Sequence, residues 1–243
     1  DVYKRQAGAG LLAFAVSFKF YPILFFAPFA ARRDARFLIF AAAACGALLV
    51  VVPGVLLGVG DTLGFYRALL DSFRESGWVT ANPHSQFFPH LVLRLAGTTG
   101  QDAPALLLLL YLIAYGVAVA NMGLVFLVQR ARLRYADLWS FQLVFMTIPF
   151  VLKTSWPHDF VFLSFTQAFM VWRLSEGEKV AVTLCLLLPS VVFSSIVFFN
   201  LFCDFTSYGF LGFLFWANML LLIAVYVQIL PPALRRDQQP QAA

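Results

Sequence analysis

The sequence predicts an all-α membrane protein, a polytopic bundle of about seven transmembrane helices. Of its 243 residues, 61% are hydrophobic and only 12% are charged, whereas a soluble domain carries about 25% charged residues. Long apolar runs recur along the whole chain. We attribute the net charge of +5 to basic loops on the cytoplasmic side of the membrane and exclude nucleic-acid binding.

Five apolar runs are each long enough for a membrane-spanning helix, which needs about 20 residues. A further run over 138–173 is too long for one span and is interrupted by polar residues 153–159. It therefore predicts two short helices joined by a polar hairpin. We predict one domain over 7–231 and a cytoplasmic tail over 232–243. The five uninterrupted runs cover 7–31, 37–59, 104–128, 180–202 and 209–230.

Lys and Arg residues are distributed unequally between alternate loops, and the richer set of loops is expected in the cytoplasm. This predicts a multi-pass protein of the bacterial inner (plasma) membrane with a cytoplasmic C-terminus, whose chain enters its first span from outside. The richer set comprises Arg32, Arg33, Arg36, Arg130, Arg132, Arg134, Arg173, Lys179, Arg235 and Arg236. The poorer set comprises Arg67, Arg74, Arg94 and Lys153.

Residues 1–6 have neither a starting Met nor the layout of a signal peptide. They resemble the translation of an adaptor used in sequencing libraries. We interpret them as non-native and expect the rest of the chain to be the C-terminal part of a longer protein.

Residues 60–103 predict an extracytoplasmic segment that begins with an amphipathic helix. Over 61–75, apolar residues recur at helical spacing and charged residues fill the other side, which is typical of a helix lying at the membrane interface. Asp61 is a candidate N-cap. Residues 78–90 are polar and interrupted by prolines, so they predict irregular backbone facing protein or a water-filled cavity.

All three histidines, His84, His90 and His158, fall in the predicted extracytoplasmic segments. Their clustering indicates a site, although loops are also where polar residues collect. A metal site needs further ligands at a regular spacing, and the three scattered cysteines supply neither such ligands nor a disulfide framework. We predict no metal and no cofactor.

Lys19 is a charge inside an apolar run. It precedes Arg32 by a stretch of helix roughly 20 Å long, which places it in the outer half of the bilayer. A charge at that depth is a functional hypothesis by default, and we predict that it binds a phosphate or another anion. The alternative is a lysine that extends to the outer headgroups. Pro22 is expected to loosen the helix and free carbonyls nearby.

The predicted hairpin places a cation, a flat aromatic, an imidazole and a carboxylate close together: Lys153, Trp156, His158 and Asp159. A Trp face can stack on a sugar ring, and His and Asp can bind hydroxyls or exchange protons. The alternative is a Trp that anchors the membrane interface beside solvated neighbours.

The hairpin element Ser155-Trp156-Pro157-His158 resembles glycosyltransferase family 87, membrane enzymes of the C-type superfamily. Two further elements are similar to motifs of this family, and the similarity covers most of residues 11–175. One is Lys19-Phe20-Tyr21-Pro22 followed by the basic turn Arg32-Arg33-Asp34-Ala35-Arg36. The other is Asn82-Pro83-His84-Ser85 with Arg94.

This resemblance implies the C-terminal part of a C-type fold and a hexosyl- or pentosyltransferase. The enzyme would move a mannose-like hexose or a pentofuranose, with inversion, from a polyprenyl-phosphate sugar donor to a lipid-linked or glycan acceptor at the extracytoplasmic face. Its implied partners are this donor, the acceptor and membrane lipids. The catalytic carboxylate of C-type enzymes usually lies in an N-terminal loop that this chain lacks, so we expect the chain alone to be inactive.

The resemblance also implies roles for individual residues. His158 and Asp159 are assigned to catalysis, and Asp159 stands where the family commonly has an aromatic or His. Substrate binding is assigned to Lys19, Asn82, Ser85, Arg94, Lys153, Ser155 and Trp156. We expect Lys19 and the corner at Trp156 and His158 to share one pocket.

A membrane transporter or a lipid- or glycolipid-handling subunit is the alternative, because broken helices and an intramembrane lysine also occur where substrates cross. A transporter predicts polar residues lining several spans through both leaflets. The inner halves of the predicted spans carry few. Asn121, Gln142, Asn200 and Asn218 are isolated, and a helix–helix hydrogen bond explains each equally well.

Overall fold

The computed structural model describes residues 2–74, 82–177, 179–201 and 204–237. These residues form helices and loops without a β-strand, which confirms the predicted all-α class. The chain divides into two compact units, Asp1–Gly77 and Trp78–Ala243. The described residues leave out the end of the predicted amphipathic helix at Glu75 and the first four residues, 78–81, of the polar segment after it. They also leave out Cys203 and the end of the predicted tail.

The helices of the first unit are α1 (Val2–Phe18), α2 (Phe26–Ala31), α3 (Ala35–Gly46), α4 (Val52–Leu57) and α5 (Val59–Arg74). A 3₁₀ helix, Tyr21–Phe25, precedes α2, and a π-helical stretch, Ala47–Val51, joins α3 to α4.

The second unit contains the larger helices. They are α6 (Phe88–Leu95), α7 (Pro104–Arg130), α8 (Ala136–Val151), α9 (Phe162–Leu174), α10 (Val180–Ser194), α11 (Ile196–Leu201), α12 (Phe205–Leu211) and α13 (Phe213–Asp237). A 3₁₀ helix, Pro157–Phe160, lies between α8 and α9.

Three stretches of the described chain are long and apolar enough to cross a membrane: Ala35–Leu57, Pro104–Arg130 and Phe213–Leu234. The prediction of two short helices and a hairpin within 138–173 is confirmed by α8, α9 and the turns between them. The predicted span over 180–202 is instead divided, because the backbone is extended at Ser195 and a new helix begins there.

The predicted single helix over 7–31 is wrong. Pro22 has no N–H to donate to the carbonyl of Phe18, and α1 ends at Phe18. The chain then turns at Lys19 and continues through the 3₁₀ helix into α2. The segment Tyr21–Ala31 is called the return stretch below.

Helices α1 and α3 run in the same direction. Ala9 packs with Phe37 and Ala41 near the start of α3. One turn earlier, Arg5, among the residues interpreted as non-native, has its Nη1 3.7 Å from Asp34 Oδ1. The return stretch spans roughly 19 Å, at rises of about 2.0 Å per residue in 3₁₀ and 1.5 Å in α geometry. That length brings the chain back along α1. The start of α1 therefore lies at the same end of the unit as the basic turn at Arg32, contrary to the predicted entry from the opposite side.

Helix α5 folds back along the helix before it. Gly58 has a φ of 87°, and this left-handed turn, which glycine adopts readily, starts α5 at Val59. Asp61 therefore lies in the first turn of α5 and not at the predicted N-cap. The hydroxyl of Tyr66 donates to the carbonyl of Leu49 in the π-helical stretch, which ties the two helices together.

Helix α13 packs against α7, α8, α9 and α10 in the core of the second unit. Polar side chains in this core bond across helices: Asn121 Nδ2 donates to Thr147 Oγ1 at 3.0 Å, and Asn218 Nδ2 donates to the Met146 carbonyl at 3.2 Å. Both are the helix–helix hydrogen bonds that the sequence allowed. Gln142 is fully buried, and no described residue bonds its side-chain amide.

Candidate functional site

Two segments far apart in sequence are joined where α6 meets the hairpin between α8 and α9. The backbone N–H of Gln86 donates to the Ser155 carbonyl at 2.7 Å, and Ser85 Oγ donates to the Lys153 carbonyl at 3.2 Å. Ser85 and Lys153 are 68 residues apart. These bonds hold the Asn82 loop against the hairpin, so that predicted site residues from both segments meet.

The Asn82-Pro83-His84-Ser85 element forms a hydrogen-bonded turn. Asn82 Oδ1 accepts from the backbone N–H of His84 at 2.9 Å, and the Asn82 carbonyl accepts from the Ser85 N–H at 3.1 Å. This is the local bonding that Asn favours in turns. Ser85 is fully buried behind it, so both residues shape the loop directly.

Arg94 ties this turn to α12. Its Nη1 donates to the Asn82 carbonyl at 3.0 Å, and its Nη2 donates to the Ser85 carbonyl at 3.1 Å. Nη2 also donates to the Gly209 carbonyl at 3.1 Å, and Nε to the Phe210 carbonyl at 3.0 Å. Four of the five guanidinium N–H groups are thus bonded to main chain. Burial lowers the Arg94 pKa to about 10, so the group stays cationic at neutral pH.

Helix α12, which the sequence did not predict as a separate helix, packs against the Asn82 loop and holds it in place. Asp204 caps it by accepting from the N–H groups of Thr206 and Ser207 at 2.9 and 3.0 Å, and the bonds to Ser207 and Thr206 lower the Asp204 pKa. A side chain at Gly209 would place its Cβ 2.6 Å from His84 Nδ1. Only a glycine allows this close approach of α12 to the loop.

Gln86 fastens the same loop from within the core. Its Nε2 donates to the Gly209 carbonyl at 3.0 Å, and its Oε1 accepts from the N–H of Phe215 at 3.3 Å. Gln86 is buried, and its amide links the loop to the start of α13. Sequence reasoning missed this role because a single Gln in a polar loop carries no distinctive pattern.

The hairpin corner places an exposed imidazole over a buried carboxylate. Asp159 Oδ2 accepts from the backbone N–H of Trp156 at 3.1 Å, and Asp159 Oδ1 lies 3.6 Å from His158 Nε2. The His158 side chain is 59% exposed, while that of Asp159 is 1% exposed. The Trp156 and His158 rings meet edge to face at 6.0 Å. An accessible imidazole beside a buried carboxylate suits hydrogen bonding or proton exchange with a hydroxyl.

Two further predicted residues lie just before this corner. Lys153 is half-buried, with Nζ 5.6 Å from the ring centre of Tyr111. Ser155 is fully buried, and no described residue bonds its hydroxyl.

His90 is the buried histidine of the site. Its side chain is 1% exposed, and its Nδ1 lies 3.4 Å from Ser85 Oγ. Burial, together with the positive charges of Lys153 and Arg94, lowers the His90 pKa to about 4. The sequence placed His90 in the extracytoplasmic segment but assigned it no role. Its position at the start of an apolar helical run, after Phe87-Phe88-Pro89, was the available signal.

Lys19 lies in the first unit. Its backbone N–H donates to the Ala15 carbonyl at 3.1 Å, and its exposed side chain reaches over the ring of Tyr21, with Nζ 5.7 Å from the ring centre. It stands at the turn between α1 and the return stretch. Its distance from Arg5 along α1 is roughly 21 Å.

The second unit thus brings together all predicted site residues except Lys19. They are Asn82, Ser85, Arg94, Lys153, Ser155, Trp156, His158 and Asp159. Among the described residues, no three His, Cys, Asp or Glu side chains gather closely enough to hold a metal ion.

Comparison with known proteins gives one match. A family model described as glycosyltransferase family 87 matches residues 2–155, which is more than half of the chain. The matched range ends at Ser155, so it includes the Lys19 turn and the Asn82 loop and stops directly before Trp156. Neither a curated protein nor a solved structure matches the chain.

Proposed function

Because the chain belongs to glycosyltransferase family 87 and is a membrane glycosyltransferase, we propose that it uses a polyprenyl-phosphate sugar as donor. It moves a mannose-like hexose or a pentofuranose to a lipid-linked or glycan acceptor at the extracytoplasmic face of the bacterial inner membrane. The observation that carries this proposal is the joining of the Asn82 loop to the hairpin, which gathers cations, an aromatic face and the His158–Asp159 pair.

The proposed reaction is the single displacement of C-type enzymes. An acceptor hydroxyl oxygen attacks the anomeric carbon, and the bond from that carbon to the lipid phosphate oxygen breaks. The electron pair leaves on the phosphate, and the hydroxyl proton passes to a base. Such a site needs a proton acceptor, cations for the departing phosphate and an apolar groove for the lipid tail.

We assign the phosphate to Lys153, with Arg94 adding positive charge from its bonded position. We propose separately that Lys19 binds a phosphate or another anion. A buried cation stabilises an anion more strongly than an exposed one, because less water screens it. Trp156 and Asn82 are proposed to contact the sugar or the acceptor. His158, oriented by Asp159, is proposed to exchange the proton or to bind the acceptor hydroxyl.

The proposed topology places the basic turns and the C-terminus in the cytoplasm and the site outside. It keeps the six predicted crossings from α3 to α13 and replaces the first predicted crossing by α1 and the return stretch. Transport is the weaker proposal. The buried amides of Asn121 and Asn218 bond to neighbouring helices, which supports a packing role for them over a polar path across the bilayer.

The test is a transfer assay with the complete protein in proteoliposomes. Radiolabelled polyprenyl-phosphate mannose and polyprenyl-phosphate arabinofuranose are compared with a nucleotide sugar, GDP-mannose, in the presence of membrane glycolipid acceptors. We expect label to enter the acceptor from one of the lipid donors and not from GDP-mannose. Transfer of label from GDP-mannose would contradict the proposal that the donor is a polyprenyl-phosphate sugar. Movement of labelled lipid between leaflets without transfer would favour transport.

A further inference from the structure

The buried side-chain atoms of the joined loops include His90 Nε2, His84 Nδ1 and Ser155 Oγ, and no described residue bonds these three. A buried polar atom without a partner is costly, so native proteins keep such atoms mainly where they serve a function. These three lie on the two segments that Ser85 and Gln86 hold together. They therefore belong to one polar region of the second unit.

The protons of this region can be assigned. The Ser85 hydroxyl has one hydrogen, and it goes to the Lys153 carbonyl, which can only accept. The contact of 3.4 Å between Ser85 Oγ and His90 Nδ1 then requires Nδ1 to carry the proton and Oγ to accept it. A neutral imidazole with a proton on Nδ1 has its lone pair on Nε2.

His90 Nε2 is therefore a buried acceptor and needs a donor. Sugar hydroxyls are donors, whereas the oxygens of an ionised phosphate are acceptors only. We propose that His90 is a sugar-binding residue, whose Nε2 accepts a hydrogen bond from a hydroxyl of the donor or acceptor sugar. This proposal rests on the proposed function, which supplies a sugar at this face.

The surroundings of His90 limit it to binding. The positive charges facing it, Lys153 and Arg94, together with burial lower its pKa to about 4, so a proton on Nε2 is unfavourable at neutral pH. The imidazole accordingly accepts a hydrogen bond and does not remove the proton in the transfer step. A sugar hydroxyl bound there would lie near Lys153, whose charge acts on His90 and which is assigned to the donor phosphate.

The test uses the full chain in nanodiscs with ¹⁵N-labelled histidine. The sequence has three histidines, so the variants His84→Gln and His158→Gln assign the His90 signals. We expect Nδ1 protonated and Nε2 unprotonated at pH 7. Octyl α-mannoside, a probe with sugar hydroxyls and no phosphate, should shift the Nε2 signal saturably, and undecaprenyl phosphate, a probe without sugar, should not.

Three results would overturn the proposal: a proton on Nε2, a mannoside titration that leaves Nε2 unchanged, or a shift with undecaprenyl phosphate alone. The Ser85→Ala variant is the matched control for the proton assignment, because it removes the acceptor for Nδ1 and should let the other tautomer appear. Failure of the transfer assay leaves this spectroscopic result intact, so the two proposals can fail separately.

In the active complete protein, His90→Phe keeps the ring and removes the acceptor. We expect it to raise the KM for the sugar substrate about tenfold or more while kcat changes less. An equal fall in kcat with no change in KM would contradict a binding role, and a loss of folded protein would be visible as a lower Tm.

Discussion

Arg94 shows how a residue type typical of phosphate sites can be held by main chain. Its four bonds to carbonyls join the Asn82 loop to α12. A lysine at this position keeps the charge but has one nitrogen, so it cannot reach carbonyls spread around a planar guanidinium. The role of Arg94 in phosphate binding stays a prediction. Its four bonds to carbonyls use Nε, one N–H of Nη1 and both N–H groups of Nη2, and its positive charge can still attract a phosphate.

We predict that Arg94→Lys destabilises the second unit. Loss of two or three charged hydrogen bonds to buried carbonyls costs about 2–3 kcal/mol, which corresponds to a fall in Tm of about 5–10 °C. Thermal unfolding in detergent measures this fall in Tm. Arg130→Lys, an exposed arginine at the end of α7, is the matched control and should change Tm by less than about 2 °C. Equal effects of the two substitutions would contradict the bonding role.

His158 and Lys19 are the residues whose loss should stop transfer. We predict that His158→Ala and Lys19→Ala each reduce sugar transfer by the complete protein at least about a hundredfold, because one removes the exposed imidazole and the other the cation proposed to bind an anion. Membrane insertion should be unchanged in both. Arg132→Ala, another exposed cation, is the control and should keep activity. Turnover at the wild-type rate in both variants would remove these site assignments.

His90 should make stability depend on pH. Its pKa is lowered in the folded protein, from the ordinary 6.5 to about 4, so the unfolded chain binds the proton more readily. Stability is therefore retained above about pH 6.5 and lost progressively as the pH falls to about 4, by about 3 kcal/mol. Thermal unfolding at pH 7 and pH 4.5 tests this. In His90→Gln the part of the pH dependence of Tm that is due to this residue should vanish. A pH dependence of Tm equal to that of the wild type would refute the role of His90.

At the scale of the helices, two prolines in apolar segments leave carbonyls to which other side chains donate. Pro53 cannot donate to the Leu49 carbonyl four residues earlier, and the Tyr66 hydroxyl donates to that carbonyl. Pro231 likewise leaves the Val227 carbonyl, to which Lys179 Nζ donates. A membrane interior offers little water to such carbonyls, so the bonds make the prolines tolerable. Lys179, counted in the sequence as a loop cation, thus also has a structural partner.

We predict coupling between Tyr66 and Pro53. Tyr66→Phe leaves the Leu49 carbonyl without its hydroxyl donor and should cost about 1 kcal/mol. In a Pro53→Ala background the restored N–H can serve that carbonyl, so the same substitution should cost much less. A double-mutant cycle on Tm, measured in detergent, isolates this difference. Equal costs in the two backgrounds would show that the bond does not compensate for the proline.

At the scale of the molecule, the parallel course of α1 and α3 changes the expected topology of the first unit. Ala9 packs with Phe37 and Ala41, directly after the basic turn, so the start of α1 and the basic turn belong to one side. We predict that Ala7→Cys and Arg33→Cys label from the cytoplasmic side and Thr99→Cys from the other, in a protein whose native cysteines are replaced by Ala. An impermeant maleimide on sealed vesicles of known orientation measures this.

Detergent-opened vesicles provide the control for that experiment, because all three positions should then label. Labelling of Ala7→Cys together with Thr99→Cys in sealed vesicles would restore the single crossing over 7–31 that the sequence predicted. The family match spans all of the first unit after its first residue and continues into the second as far as Ser155. Both units therefore contain residues that the family model matches.

Several features were determined by the sequence alone. Apolar runs and their interruptions are local properties, so the all-α class, the long helix Pro104–Arg130 and the hairpin between α8 and α9 could be predicted. The resemblance of the Lys19, Asn82 and Ser155 elements to glycosyltransferase family 87 was local in the same sense, and the family match agrees with it.

Only the tertiary structure decided the direction of α1, the bonding of Arg94 and the burial of His90. Each depends on a meeting of segments distant in sequence: Phe37 with Ala9, Gly209 with Arg94, and Lys153 with Ser85. Hydrophobic periodicity reports whether a residue is buried or exposed along one helix. It does not report which carbonyl or charge from another segment will lie beside that residue, and those neighbours determine what a polar side chain in this membrane protein does.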